Sequence, residues 1–375
     1  MKYDKVLIFE LKNQLYGNIY CFGAGRAFDK FMEELAQFEL EKHIKAVVDN
    51  NPKVSVKVIN NHNIPVISLD QMLNVINEND FILITTAAYG EIIVQLNQIE
   101  QLNSVGYGIY SIMKIEQHDY DRLQIKLPKR LSLYNEVRIP KIIHYCWFGK
   151  KEIPEQYREW MASWKKYCPD YEIVEWNEDN YDVHKNQFIS QAYDMGKWAY
   201  VSDYARIDIV NEYGGVYMDT DVELVKNIDE LLKNDAFCGF ENDRFVAYGL
   251  GFGAKKQNLI LREIKEHYNN ISFAENGETL YKLACPVIQT NIMKKCGLIC
   301  NGEFQTVEGM VVYPSRVLCG MSPYSFRMQR DLTDTYAIHH YHASWLQGYY
   351  KQWKNKLILD IKEWGWNDKD YIYPD

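Results

Sequence analysis

Short apolar runs alternate with segments of helical period through the first third of the chain. "NIYCFGAGRAFDKFMEEL" predicts a strand, a glycine turn and a helix, and "IKAVVDNNP" a buried strand ending at Asp49. "DFILITTAAYGEIIVQL" predicts a strand leading into a helix, and "VGYGIYSI" one more strand. Strands separated by helices imply a parallel sheet. The basic stretch "KLPKRLSLYNEVRIP" then reads as a linker closed by Pro140. Beyond it the alternation resumes. "KIIHYCWFG" is a buried strand, "EQYREWMASWKKYCPD" a helix stopped at Pro169, and "YEIVEWNEDNY" a strand and turn. In "KWAYVSDYARIDIVNEYGG", Tyr200, Tyr204, Ile207 and Val210 recur at three- and four-residue steps, and Gly214 and Gly215 end the helix. The expected fold class is α/β throughout, with one domain over residues 1–135 and a second over 136–375.

The first domain is expected to be Rossmann-like. Gly23 and Gly25 open its first helix, and Asp49 stands 24 residues after Gly25, a spacing that suits a dinucleotide fingerprint. Phe28 occupies the third glycine position and is too bulky for the close packing found there, so a plain strand-to-helix turn is an equal reading. Through "CFGAGR", "VVDNNP" and "IPVISLDQ" this half resembles Rossmann-like domains attached to many sugar-modifying bacterial enzymes, a likeness that leaves its ligand open.

The second domain carries the chemistry. The strand "VYM" is followed by Asp219 and Asp221, one residue apart and so on one face of an extended chain. Two such carboxylates repel each other unless a cation lies between them, and Mg²⁺ or Mn²⁺ is the hard cation that such oxygens hold. One helix earlier, Asp203 and Arg206 are three residues apart and therefore neighbours on the helix surface. Each pair taken alone is more often a solvated strand end or a structural ion pair. Their succession in "SDYARIDIVNEYGGVYMDTDVE" brings both towards one pocket.

Composition narrows the class of ligand. The 375 residues are 47% hydrophobic and 25% charged, with a formal net charge of −9, which argues against non-specific nucleic-acid binding. Tyr (29) and Trp (9) are abundant, and such rings stack on bases and sugar faces. The N-terminus "MKYDKVLIFELKNQ" has too short an apolar run for a signal peptide, and the eight cysteines are scattered without a zinc spacing. A cytoplasmic protein with reduced thiols is expected.

The ordered motifs resemble glycosyltransferase family 32, the D-x-D sugar transferases that include capsular-polysaccharide enzymes. They are also similar to the sugar-binding region of large glucosylating toxins. "IPKIIHYCWFG" resembles the family's first strand, "SDYARIDIVNEYGGVYMDTDVE" its core and "HHYHASW" its closing motif, over Pro140 to Trp345. The resemblance implies a GT-A-type domain, a nucleotide diphosphate sugar as donor with a UDP-sugar favoured, and Mn²⁺ or Mg²⁺ as cofactor. By that resemblance Trp147 stacks on the base, and Asp203 and Arg206 grip the donor sugar and the diphosphate. Asp219 lies nearer the ribose and sugar, Asp221 is the direct metal ligand, and Ser344 and Trp345 close over the diphosphate. His340, with His339 next, is expected at the metal; alternation puts His340 and His342 on one face and His339 on the other, and His342 is read as a surface histidine. "YGLGFGAKKQN" is either a turn or a place where a sugar nears the backbone, and "ACPVIQTN" has Cys285 where the family usually has glycine.

The implied activity is metal-dependent transfer of a sugar, with retained configuration, to a saccharide or lipid-linked saccharide acceptor, in capsular or other surface polysaccharide synthesis. The C-terminal segment "LQGYYKQWKNKLILDIKEWGW" puts Leu346, Tyr349, Trp353, Leu357, Ile361 and Trp364 on one helical face, with lysines elsewhere. It either docks on the catalytic domain or rests on an anionic membrane. A homo-oligomer is open. Two rival classes stand beside this reading, a sugar nucleotidylyltransferase and a non-catalytic nucleotide-binding scaffold.

Overall fold

In the computed structural model, which describes residues 1–11, 17–35, 40–59, 62–273, 283–342 and 349–374, the apolar runs become strands of two seven-stranded sheets. The chain divides into two compact units, one formed by residues 1–120 and 355–367, the other by 121–354 and 368–375. Both are α/β, as the alternating pattern predicts.

The first unit has strands β1 (Lys2–Tyr3), β2 (Ile19–Phe22), β3 (Ile44–Val48), β4 (Val56–Ile59), β5 (His62–Ile67), β6 (Phe81–Ile84) and β7 (Gly106–Ile109). Their order is β1-β7-β6-β2-β3-β5-β4, parallel except for the β4–β5 pair. Strands β2, β6 and β7 are buried at every position, as continuous apolar runs in a parallel sheet must be. Helices α1 (Arg26–Leu35), α2 (Leu69–Leu73), α3 (Tyr89–Asn97) and α4 (Tyr110–Gln124) connect them. Order reverses at β2, and the Gly23 turn follows it with φ of 111°. Phe28 is wholly buried beside Phe31, in the place where a dinucleotide fold has glycine. Asp49 accepts hydrogen bonds from Ala24 N (3.0 Å) and Asn51 N (2.9 Å), so it ties the turn to the end of β3.

The stretch read as a linker packs against the second unit. Leu133 N donates to Asn234 Oδ1 (2.8 Å), Tyr134 N to Lys233 O (3.0 Å), and Arg138 pairs with Asp235 (2.7 Å). The second sheet follows the order β14-β15-β12-β13-β10-β8-β9. Its parallel core is β8 (Ile142–Cys146), β9 (Glu172–Trp176) and β10 (Gly215–Tyr217). Antiparallel to β10 and β12 runs β13 (Phe252–Ala254), with β12 (Ala236–Gly239), β15 (Met310–Tyr313) and β14 (Gln305–Val307) beyond. Two small sheets join β11 (Val222–Leu224) to β17 (Ala337–His339), and β16 (Met328–Gln329) to β18 (Tyr371–Ile372).

Helices α5 (Glu155–Tyr167), α6 (Gln187–Asp194), α7 (Trp198–Tyr213), α8 (Leu259–Asn269), α9 (Cys285–Lys295) and α10 (Ser315–Leu318) belong to this unit. Helix α7 is buried on nearly every side, polar residues included. Asp208 on it is satisfied by Lys185 (2.6 Å), Lys265 (2.5 Å) and the Tyr181 hydroxyl (2.8 Å), which is the condition for burying a charge. Gly214 (φ 68°) and Gly215 (φ 105°) then turn the chain straight into β10. A side chain at Gly215 would meet His144 and Ile142 O at 2.9 Å, so glycine is needed for that close approach.

The C-terminal helix, α11 (Tyr349–Trp364), is shared between the units. Its later part packs within the first unit, where Ile361 is buried and Tyr3 lies edge-on to Trp364 with ring centroids 5.3 Å apart. Trp353 (42%) and Leu359 (65%) stay exposed, while Lys354 bonds Tyr341 O and Lys356 bonds Asp360 and the Tyr89 hydroxyl. No helix among the described residues is long and apolar enough to cross a membrane.

Candidate active site

The end of β10, helix α7 and the β11–β17 pair assemble one polar cluster. Tyr217 closes β10, and two residues on, Asp219 points the same way, as the pleat requires. The Tyr217 hydroxyl donates to Asp219 Oδ1 at 2.9 Å. Arg206, buried on α7, lies over the Tyr217 ring, its Cζ 4.9 Å from the centroid. Its Nη2 is 3.1 Å from both Asp203 Oδ1 and Asp219 Oδ1. One guanidinium therefore bridges the two acidic motifs that the sequence places a helix apart.

Asp221 is held by the other side of the cluster. The β11–β17 pairing aligns Val222 with His339. His339 Nε2 lies 3.3 Å from Asp221 Oδ1, His342 N donates to Asp221 Oδ2 (3.0 Å), and His340 N to Asp221 O (2.9 Å). Asp219, Asp221 and His339 each offer a ligand atom, all within 4.8 Å of one another. His340 faces away. Its ring stacks on Trp160 at 4.1 Å and 10°, and its Nε2 shares a hydrogen bond with Glu223 (2.9 Å). The expected alternation of 339 against 340 and 342 thus holds in the structure, and the strand register turns His339 towards the carboxylates.

The electrostatics are uneven. Burial pushes the Asp203 carboxyl up to about 6, against the pull of Arg206. Burial also raises Asp219; Arg206 opposes that rise and the charge of Asp221 adds to it. For Asp221 burial works in the same upward sense but loses. The adjoining His339 and the His342 N–H hold it well below the usual carboxylate range. His339 is raised, because Asp221 and Asp219 outweigh the cost of burying its charge. Asp203, Asp219 and Asp221, with Glu241 also acting on His339, therefore face the Arg206 guanidinium and the His339 imidazole.

That imbalance fits a hard divalent cation. Two carboxylates and an imidazole form a donor set that Mn²⁺ accepts, and Mg²⁺ takes the oxygens. His339 Nδ1 is a buried nitrogen without a hydrogen-bond partner among the described residues, while Nε2 is the nitrogen turned to Asp221.

Trp147 follows β8 but does not join the carboxylates. Its Nε1 donates to Lys151 O (2.6 Å) and its ring meets the Tyr157 ring edge-on at 5.7 Å. With Tyr145, Arg158, Met161 and Glu175 it lines a cavity of about 560 Å³ beside α5. Ser344 and Trp345 lie outside the described residues.

Three contributors were not anticipated. Tyr217 was legible in principle, since alternation puts residue 217 on the face of 219. Gly249, within the glycine-rich stretch, lies so close that a side chain there would collide with Asp219 and crowd Arg206. Cys285, at the start of α9, puts its Sγ 3.9 Å from Arg206 Nη1. Nothing in sequence spacing connects either of the last two to the carboxylates.

Comparison with known proteins falls on the same segment. Residues 154–238 match the family described as glycosyltransferase sugar-binding region containing DXD motif. The chain is 31% identical over 128 residues to inositol phosphoceramide mannosyltransferase 1 of Schizosaccharomyces pombe, covering 29% of this chain and 39% of that one. It is 25% identical over 172 residues to human lactosylceramide 4-alpha-galactosyltransferase, covering 39% and 43%. The chain thus spans about two fifths of the length of these curated relatives. The structure of PaToxG Glycosyltransferase aligns with 50% of this chain and 76% of that chain at 19% identity and a TM-score of 0.34. Asp203, Arg206, Asp219 and Asp221 all lie in the matched segment, over which this chain resembles the D-x-D glycosyltransferases.

Proposed function

We propose that this chain is a metal-dependent glycosyltransferase that moves a hexosyl group from a nucleotide diphosphate sugar to a hydroxyl of a saccharide or lipid-linked acceptor. The observation that carries the reading is the single buried guanidinium of Arg206 bridging Asp203 and Asp219, next to the Asp219–Asp221–His339 group.

Asp219, Asp221 and His339 would hold the cation, whose charge is the counterweight to a leaving diphosphate. The chain's own groups do the rest. Tyr217 fixes Asp219 by its hydroxyl, and the His340 and His342 N–H groups fix Asp221, so neither carboxylate has to reorganise when charge develops. Arg206 faces the diphosphate side, and Asp203 accepts from hydroxyls of the donor sugar. Trp147 stacks on the base, with a UDP-sugar favoured. No carboxylate stands out in the sequence as a nucleophile, so we favour front-face displacement with retained configuration, the departing phosphate taking the acceptor's proton.

The names of the relatives point to acceptors carried on lipids, an inositol phosphoceramide in one case and lactosylceramide in another. This supports a lipid-linked acceptor and a peripheral membrane contact, to which the exposed Trp353 and Leu359 of α11 would contribute. Surface or capsular polysaccharide synthesis is the role we assign on the sequence motifs alone.

The test is a screen of UDP- and GDP-hexoses for Mn²⁺-dependent turnover, reading the released nucleotide. A nucleoside diphosphate product is expected. Turnover that requires added pyrophosphate and yields a nucleoside triphosphate and a sugar 1-phosphate would make it a nucleotidylyltransferase, and no turnover with any donor and acceptor pool would refute the reading.

A further inference from the structure

Helix α5 grips the β11–β17 pair along one of its faces. Ser163 Oγ accepts from Leu224 N (2.8 Å), Trp164 Nε1 donates to Val222 O (2.8 Å), and Trp160 stacks on the His340 ring. Residues at three- and four-residue steps share a side of a helix, and Tyr157 is the next in this row. It reaches past the end of β17. Its hydroxyl shares a hydrogen bond of 2.6 Å with His342 Nδ1, and the two rings meet edge-on at 5.1 Å. Tyr157 is buried, whereas His342 is exposed.

The backbone at His342 needs such an anchor. The preceding residue, Tyr341, has φ of 50°, in the left-handed region that bulky residues seldom enter. A residue stays there only where its surroundings over-determine it. Lys354 Nζ donates to Tyr341 O (2.7 Å), the Tyr341 hydroxyl lies 3.1 Å from Cys319 Sγ, and Tyr157 holds the following ring. This turn aims the His342 N–H at Asp221 Oδ2 (3.0 Å), while His339 Nε2 stands by Oδ1. A side chain on α5 thus reaches a candidate metal ligand through a single intermediary.

We propose that Tyr157 is a positioning residue for the metal centre: its hydroxyl, acting through His342, keeps the Asp221 carboxylate oriented for the cation. This rests on the glycosyltransferase reading and deepens it, since it names the support that sets the affinity of that site for its ion. Groups that hold a ligand in place shape metal affinity nearly as much as the ligands do. No covalent bond changes.

The experiment measures Mn²⁺ binding to the free protein by electron paramagnetic resonance, together with turnover against Mn²⁺ concentration. It compares wild type, Tyr157→Phe, His342→Ala and the double variant. Phenylalanine keeps the ring beside Trp147 and removes the hydroxyl alone. Tyr157→Phe is expected to bind Mn²⁺ about tenfold more weakly. His342→Ala should match it, and the double variant should lose no more than either single one, because the two groups act as one unit. Raising Mn²⁺ by the same factor should restore turnover in all three, which a merely loosened fold would not show. Wild-type Mn²⁺ affinity in Tyr157→Phe overturns the proposal, as do losses that multiply in the double variant. If Tyr157→Phe does not fold, His342→Ala decides alone, and unaltered Mn²⁺ binding there overturns it. A wild type that takes up no Mn²⁺ removes the metal from the glycosyltransferase reading, and this proposal with it; a wild type that binds Mn²⁺ beside an unimpaired Tyr157→Phe sinks this proposal only.

Discussion

Each unit places carboxylates after the strands of a parallel sheet, and the two sets are treated in opposite ways. Asp49, after β3, has each of its oxygens taken by a backbone N–H of its own unit, Ala24 on one and Asn51 on the other. It is a structural tie. Asp219 and Asp221, after β10, are pressed together with Asp203 nearby and with less positive charge than negative around them. Burial and mutual repulsion push one up, while histidine holds the other down. A carboxylate neutralised by local backbone stabilises a turn. A group of carboxylates left short of countercharge is a site prepared for something else to supply it.

The most severe break of this contrast is Asp221→Asn. Nucleotide release in Mn²⁺ should fall at least about a hundredfold, with the variant still folded but melting lower than wild type, because the ionised Asp221 favoured by His339 and the His342 N–H also favours the fold. Asp49→Asn, the matching change in the other unit, should leave turnover within about twofold, since both of its carboxylate oxygens serve backbone of its own unit. Initial-rate assays on both proteins decide it, and equal losses would erase the distinction between tie and site.

His339→Ala and His340→Ala come next. Loss of His339 should cut turnover and weaken Mn²⁺ binding by about tenfold or more, whereas His340→Ala should cost only a few-fold, through the Trp160 stack and the bond to Glu223. Mn²⁺ titration of the two variants ranks them. The reverse order would put the wrong ring at the carboxylates.

A smaller effect is read in stability. With its carboxyl raised to about 6, Asp203 favours folding while protonated, and that contribution is lost as the pH climbs from the unfolded carboxylate range through 6. Metal-free Asp203→Asn should therefore melt a few degrees above wild type at pH 7 and level with it below pH 4, though it should transfer sugar poorly. A variant less stable than wild type at pH 7 would mean that the Arg206 pair outweighs the burial of the charge. Smallest of all, Asp49→Ala should cost about 1 kcal/mol by denaturant melting, the usual worth of a side-chain tie to backbone.

How far the sequence reached depends on whether a feature is local. Asp203 meets Arg206 because a helix brings residues three apart together, and Asp219 and Asp221 come together in the turn between β10 and β11, where Val222 N bonds Asp219 O, rather than by strand alternation; both follow from neighbours in the chain. The glycine turns Gly214–Gly215 and Gly23 follow from local backbone demands in the same way. The choice between His339 and His340 did not, since alternation separates the two rings but only the pairing of β11 with β17 says which side faces the carboxylates. Gly249 and Cys285 reach the cluster through tertiary packing with no periodic signature. The extent of each unit is of that kind too, because the later part of α11 packs in the first unit far from its neighbours in sequence.

The backbone clasp between His342 and Asp221 joins residues 121 positions apart. On the ribosome the acidic pair is made long before the strand that steadies it, so a chain halted anywhere in that interval carries the signature residues without a working centre. Nonsense or frameshift lesions well past the recognisable motif should thus abolish activity outright, and a gene fragment chosen by motif alone would be expected to yield inert protein.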